Sequence, residues 1–211
     1  MDIVFMGSPD FAVPSLTKLH ECNKINIKTV VSQPDRKKGR GQKVKSTPVK
    51  NKAKKYDLDV LTSKNINNDD FVNKLKELSP DAIVVVAFGQ ILNNQLLQLP
   101  IYGCINLHAS ILPKYRGSSP IHRAIINGDE ISGVTTMYMD EGLDSGDIIY
   151  RKEVEITKTD TVGNLHDKLA KKGADLLVKT LVDIKQDIAP RIKQDNEKAT
   201  YAPKIEKNLG K

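Results

Sequence analysis

Asn106 and His108 stand two residues apart at the end of a short apolar segment, Cys104 to Leu107, that reads as a strand. Residues two apart on a strand point the same way. An amide and an imidazole would therefore project side by side into one space. That pair suits acyl chemistry: the amide stabilises a developing oxyanion, and the imidazole donates or accepts a proton. The same pattern also suits a turn closed by a hydrogen-bonded histidine. A second cluster, Met139-Asp140-Glu141-Gly142-Leu143-Asp144-Ser145-Gly146-Asp147-Ile148, places four acids and two glycines in a loop after another strand. Its aspartates could orient the histidine or relay a proton through water. Acids in such turns also serve simply as turn formers.

Other chemistries find no support in the sequence. Gly39-Arg40-Gly41 lacks the third glycine of a dinucleotide fingerprint, and there is no G-x-x-x-x-G-K. The four histidines, His20, His108, His122 and His166, are scattered without metal-ligand spacing, so no metal is expected. G-x-S-x-G is absent, and neither Cys22 nor Cys104 has an obvious base beside it, which argues against a covalent nucleophile.

The elements that must hold these residues alternate between strand and helix. Ile3 to Met6 reads as a strand, followed by Ser8 as a helix cap and Pro9 in the first helical turn. Ile25 to Val31 reads as a second strand. Ser32 to Pro48 is a long polar loop, and Val49 to Tyr56 a basic helix. Phe71, Leu75 and Leu78 mark a helix ended by Pro80. Ala82 to Val86 is a β-branched run of the kind buried on both faces of a parallel sheet. A helix over Ile121 to Asn127, strands over Gly133 to Met139 and Ile148 to Ile156, and a long helix over Thr161 to Ile184 complete the pattern. Such alternation predicts an α/β fold with a doubly wound, mostly parallel, Rossmann-like sheet, which places ligands at strand carboxyl ends. Residues 1–186 are expected to form one domain. Residues 187–211 turn polar and irregular, like a tail or the start of a linker.

Of 211 residues, 39% are hydrophobic and 28% charged, as in soluble globular chains. The longest apolar run, Ala82 to Phe88, is far short of the ~20 residues of a membrane helix, and no leader peptide is visible. With two cysteines and no disulfide framework, a cytoplasmic location is expected. The net charge of +7 is concentrated: between Asp35 and Lys55 there are ten basic residues and one acid, a local charge of +9, leaving −2 for the rest. A localised basic patch suits a polyanion, and equally a solvated lysine-rich surface.

Taken together, Asn106-x-His108 with Ser110-Ile111-Leu112-Pro113, and the later Leu143-Asp144-Ser145-Gly146-Asp147-Ile148, resemble the signature of folate-dependent formyltransferases in order and approximate spacing. The resemblance extends over essentially the whole chain and favours the branch acting on methionyl-tRNA. Phe5 to Ala12 is similar to that branch's opening. Gln33 to Gly41 resembles its inserted loop and Ser46 to Lys50 the end of that loop. Ala87 to Leu92 is similar to its folate-pocket stretch, Pro113 to Gly117 continues the match, and Thr200 to Ile205 resembles the exit from its catalytic domain. Ile111 stands where leucine is usual.

The resemblance implies formyl transfer from 10-formyltetrahydrofolate to the amino group of initiator methionyl-tRNA, with Asn106, His108 and Asp144 as the catalytic set. It implies folate contacts from Phe88, Gly89, Gln90, Ile91, Leu92, Ser110, Leu112, Pro113 and Asp140. It implies tRNA contacts from Arg36, Lys37, Lys38, Arg40, Lys43 and Lys45 within the basic stretch 35–55. Neither a membrane nor an obligate protein partner is implied, and the C-terminal β-barrel domain that the branch carries is not expected within these 211 residues. Glycinamide ribonucleotide or an amino sugar as acceptor would suit the same three residues but leaves the +9 stretch unexplained. A non-catalytic RNA-binding α/β module would not need the three together.

Overall fold

The β-branched run at residues 82–86 lies at the centre of a seven-stranded sheet, as its lack of polar side chains requires of a strand covered on both faces. The computed structural model describes residues 1–38 and 41–206. Its strands are β1 (Asp2–Gly7), β2 (Asn26–Ser32), a separate hairpin of β3 (Arg36–Lys38) and β4 (Lys43–Lys45), then β5 (Val60–Thr62), β6 (Ala82–Val86), β7 (Cys104–His108), β8 (Ile131–Tyr138) and β9 (Ile148–Glu155). The large sheet runs β5-β2-β1-β6-β7-β8-β9. It is parallel through β7, while β8 and β9 are antiparallel additions. The expected doubly wound, mostly parallel α/β fold is what forms.

Strand periodicity divides the core. Ile3 and Phe5 of β1, Val84 and Val86 of β6, and Ile105 and Leu107 of β7 face one side. There they meet α1 (Val13–Glu21), α2 (Pro48–Lys55), α5 (Pro120–Ile126) and α6 (Val162–Lys185). Val4, Met6, Ile83, Val85 and Cys104 face the other side, against α3 (Asp69–Glu77) and α4 (Asn94–Leu97). Asn106 and His108 alternate with Ile105 and Leu107, so they share the face of Cys104. Among the described residues no helix is long and apolar enough to cross a membrane.

Two expectations need correction. Ser8 does not cap a helix: a 3-10 turn (Asp10–Ala12) follows Pro9, and α1 begins at Val13 with Pro14 in its first turn. A proline cannot sit deeper in a helix without losing a hydrogen bond, so the second proline sets the helix start. The Ser8 hydroxyl instead donates to the Phe88 carbonyl (3.4 Å) and accepts from the Gln33 amide (3.1 Å). The long loop after β2 contains the β3–β4 hairpin, whose lysine-rich strands show no apolar alternation to betray it. Beyond α6, the described residues keep contact with the body. Ile192 bridges to Ile148, Arg116 pairs with Tyr201, and Ala202 is fully buried.

Candidate active site

Asn106 and His108 are 9% and 6% exposed on the carboxyl half of β7, opposite Met137 and Thr135 of β8. Above them crosses the loop that joins β8 to β9, and it delivers Asp144. Asn106 Nδ2 lies 3.5 Å from Asp144 Oδ1, and His108 Nδ1 lies 3.6 Å from Asp144 Oδ2. Both contacts are long for hydrogen bonds, so the Asn106 and His108 nitrogens are only weakly engaged by the carboxylate. His108 Nε2 is 2.9 Å from the Tyr115 carbonyl. A carbonyl only accepts, so Nε2 carries a proton and Nδ1 is the atom left to take up or release one. The structure thus brings Asn106, His108 and Asp144, the three residues singled out from the sequence, to one place. Asp147, three positions on, turns away and accepts from Arg191 Nε at 2.7 Å.

Asp144 is held from several sides. Its Oδ2 accepts from the Gly117 amide at 2.7 Å. Gly117 has φ +113°, and a Cβ there would lie 3.0 Å from the Ala202 carbonyl, so glycine alone suits this donor. Asp144 itself has φ +50°, a left-handed conformation that aspartate tolerates better than most residues. Asp140 shapes the preceding turn by accepting from the Gly142 amide (3.0 Å) and the Ser145 hydroxyl (2.9 Å). Gly146 passes so close to β8 that a Cβ would fall 1.9 Å from the Tyr138 carbonyl.

The expected folate-lining residues divide. Phe88 to Leu92 follow β6 next to β1, where the sheet's winding direction reverses, the usual ligand crevice of such folds. Phe88 and Leu92 are buried, Gly89 has φ +84°, and Ile91 is 82% exposed. The Gln90 side chain braces the neighbouring loop, accepting from the Ile66 amide (3.1 Å) and donating to the Ser63 carbonyl (2.9 Å). Leu143, beside Asp144, is also largely exposed, so two apolar side chains face outward from the loops around the site. Ser110 and Leu112, expected as ligand contacts, face inward. The Ser110 hydroxyl donates to the Lys114 carbonyl (2.5 Å), and Leu112 is fully buried in a cluster with Met137 and Ile148. They shape the loop from beneath. Pro113 is half-buried, and its carbonyl accepts from the Thr200 amide.

Sequence reasoning missed Tyr115, whose carbonyl fixes the histidine tautomer, and Gln194, which binds the backbone of the Asp144 loop. Hollows of about 450 and 360 Å³, one beside Met1 and Lys185 and one beside Tyr102 and Arg191, are not lined by Asn106, His108 or Asp144. The Cys104 thiol on the same strand is pushed up to about 12 by burial, which removes it as a nucleophile at neutral pH.

Within the basic stretch, Arg36, Lys37, Lys43, Val44 and Lys45 are exposed on a two-stranded ribbon. The β3–β4 register sets Arg36 opposite Lys45, Lys37 opposite Val44 and Lys38 opposite Lys43. Like charges directly opposite, such as Arg36 and Lys45, are unfavourable in isolation. Arg40 lies outside the described residues. The ribbon is rooted by Ser32–Thr47 (2.6 Å) and by Lys50 Nζ on Asp35 (2.9 Å). The Lys50 contact holds the Asp35 carboxyl below its usual range, so the lone acid of the stretch is already paired.

The chain resembles known proteins over its whole length. A family model described as formyl transferase matches residues 1–181. A methionyl-tRNA formyltransferase of Halothermothrix orenii is 65% identical over 210 residues; the match covers 100% of this chain and 66% of that protein. The chain thus spans just under two-thirds of that relative's length. A sugar 3N-formyl transferase, solved in the presence of dTDP and 5-N-formyl-THF, superposes with a TM-score of 0.71 at 24% identity, covering 97% of this chain and 70% of the other. A phosphoribosylglycinamide formyltransferase from Anaplasma phagocytophilum gives 0.75 at 20% identity, covering 97% and 99%. At these identities the two structures share the fold.

Proposed function

Because this chain belongs to the formyl transferase family, we propose that it carries a formyl group from 10-formyltetrahydrofolate to the amino group of initiator methionyl-tRNA, in the cytoplasm, as a step of translation initiation. The observation that carries the reading is the meeting of Asn106, His108 and Asp144 within 3.6 Å on the face of β7, with a ribbon of basic residues rooted at the adjoining crevice. Residues 1–186 are read as the catalytic domain, and residues 188–203 as a strap that completes its site.

The donor, when bound, supplies an activated formyl carbon, and the exposed apolar side chains Ile91 and Leu143 offer its ring a partly apolar seat. The remaining work falls to the chain's own groups. Asn106 Nδ2, only loosely engaged by Asp144, donates to the formyl oxygen as charge develops there during addition of the amine. A donor of this kind is worth about 10²–10³ in rate. His108 Nδ1–H donates from the second side, while Nε2–H stays fixed on Tyr115. Asp144, held by Gly117, takes the proton released by the amine through a bridging water, and that proton passes to the departing nitrogen as the old C–N bond breaks. Protons and electron pairs balance without an external acid or a covalent adduct on the protein.

The test is acceptor choice. The protein is incubated with 10-formyltetrahydrofolate and, separately, methionyl-tRNA, glycinamide ribonucleotide and an amino-sugar nucleotide, with formylated product quantified for each. Preference for methionyl-tRNA supports the reading, and preference for either small acceptor overturns it.

A further inference from the structure

Gln194 lies in the strap after α6, fifty residues from Asp144, yet its amide grips the Asp144 loop. Nε2 donates to the carbonyls of Asp144 (2.9 Å) and Gly146 (2.7 Å), on either side of Ser145. The other end of the same amide is fixed: Oε1 accepts from Arg116 Nε (3.1 Å) and Nη2 (2.8 Å). Arg116 is 4% exposed and Gln194 8%. Among the described residues the guanidinium has no carboxylate partner; its remaining side-chain contact is Asn196 Oδ1 (2.9 Å). A buried guanidinium answered only by neutral oxygens is a costly arrangement, and a fold that needed only to bury residue 194 could use an apolar side chain. What the fork of Arg116 achieves is orientation. It accommodates only an oxygen, so the amide nitrogen must face the loop.

Arg116 also precedes Gly117, the amide donor to Asp144, and its own backbone pairs with Thr200 and Ala202 of the strap. The strap therefore reaches Asp144 by two routes, through its backbone carbonyl and through its carboxylate. We propose that Gln194, oriented by Arg116, is the positioning residue that sets the Asp144 carboxylate against His108 and Asn106. This rests on the formyl-transfer reading for its effect on rate, but not for its effect on geometry.

Gln194→Glu separates positioning from folding. At pH 8 a glutamate keeps Arg116 satisfied with a stronger, charge-assisted bond. It loses both donors to the loop and turns an anion toward two carbonyls. With the stronger Arg116 bond offsetting part of that loss, the variant is expected to fold and to melt within about 8 degrees of the wild type. Its kcat for formyl transfer should fall about 10- to 100-fold, the scale of a displacement of about 1 Å in a catalytic group, with KM for either substrate within about threefold. In substrate-free protein, the His108 ring signals in NMR should move in the direction they move in Asp144→Asn. Should Gln194→Glu fold poorly, Gln194→Met, which fills the same volume without donors, is read for the same kcat and ring signals on its folded fraction. Wild-type kcat and wild-type His108 signals in a folded variant overturn the proposal and leave Gln194 a packing residue. Failure of the wild type to formylate any amine, with His108 signals that still respond to Gln194→Glu, retains the positioning role and removes the formyl-transfer reading instead.

Discussion

Replacing Asp144 with asparagine changes one atom and one charge, and the local geometry dictates the consequences. The Gly117 amide needs an acceptor at 2.7 Å, so the new amide oxygen must occupy the Oδ2 position. The new NH₂ then stands where Oδ1 was, 3.5 Å from Asn106 Nδ2, donor against donor. Asn106 relieves this only by flipping its own amide, which withdraws its N–H from the formyl oxygen. His108 loses the neighbouring carboxylate at the same stroke. The rate should therefore fall by the combined scale of a lost proton relay and a displaced oxyanion donor, about 10²–10⁴, or roughly 3–5 kcal/mol of transition-state stabilisation. Stability should change by only about 1 kcal/mol, since the Gly117 bond survives without its charge. Asp147→Asn is the control: it breaks an exposed pair with Arg191 worth roughly 0–1 kcal/mol, and kcat should stay within a factor of a few. Single-turnover formylation by both variants at saturating donor gives the comparison. A larger rate loss in Asp147→Asn, or wild-type kcat in Asp144→Asn, would refute the assignment of the proton relay.

Gly146→Ala puts a Cβ 1.9 Å from the Tyr138 carbonyl, so the loop must move; thermal melting should show a loss of about 1–3 kcal/mol, and kcat should approach that of Asp144→Asn. Replacing Arg40, Lys43 and Lys45 with alanine should flatten the log–log dependence of tRNA binding on salt by about 0.9 per lost contact on duplex and less on single strands, while folate binding stays unchanged. The Asp183 carboxyl is held below its usual value by Lys179, with the Tyr150 hydroxyl assisting. A depressed carboxyl contributes stability that is present above its unfolded value near about 4 and is lost as pH falls through the folded value, so the destabilisation caused by Asp183→Asn should shrink in denaturation series taken from pH 7 to pH 3. Cys104, its thiol pushed up to about 12 by burial, should resist a thiol reagent at pH 8 until the protein unfolds.

How much of the molecule was legible in its sequence depends on the range of each signal. The β-branched run at 82–86 and the apolar spacing of α6 are periodic over many residues, so the sheet and its long helix could be read directly. Asn106 and His108 were legible because strand alternation is local. Asp144 was reached through resemblance, since nothing in a run of four acids marks which one folds inward. Short elements such as β5 and α4 carry too few residues for periodicity to register. The β3–β4 hairpin escaped because its residues are nearly all cationic and carry no apolar alternation. Gln194 escaped for a different reason. An isolated glutamine in a polar stretch has no pattern at all, and its meaning comes wholly from Arg116 and from two carbonyls fifty residues away.

That division has a mechanical consequence. Asn106 and His108 sit on a strand paired on both sides, parallel to β6 and antiparallel to β8, and no single contact sets their positions. Asp144 sits on a left-handed residue in a loop whose own sequence favours many conformations. Its placement depends on a few tertiary bonds: the Gly117 amide on the carboxylate, and the two Gln194 bonds to the flanking carbonyls. Each is worth about 1 kcal/mol net, so losing one should shift where the carboxylate stands without unfolding the sheet beneath it. Substitutions at Gln194 are therefore expected to act on kcat more than on stability. Substitutions under β7, such as at Leu107, which packs against Gly173 of α6, should do the reverse.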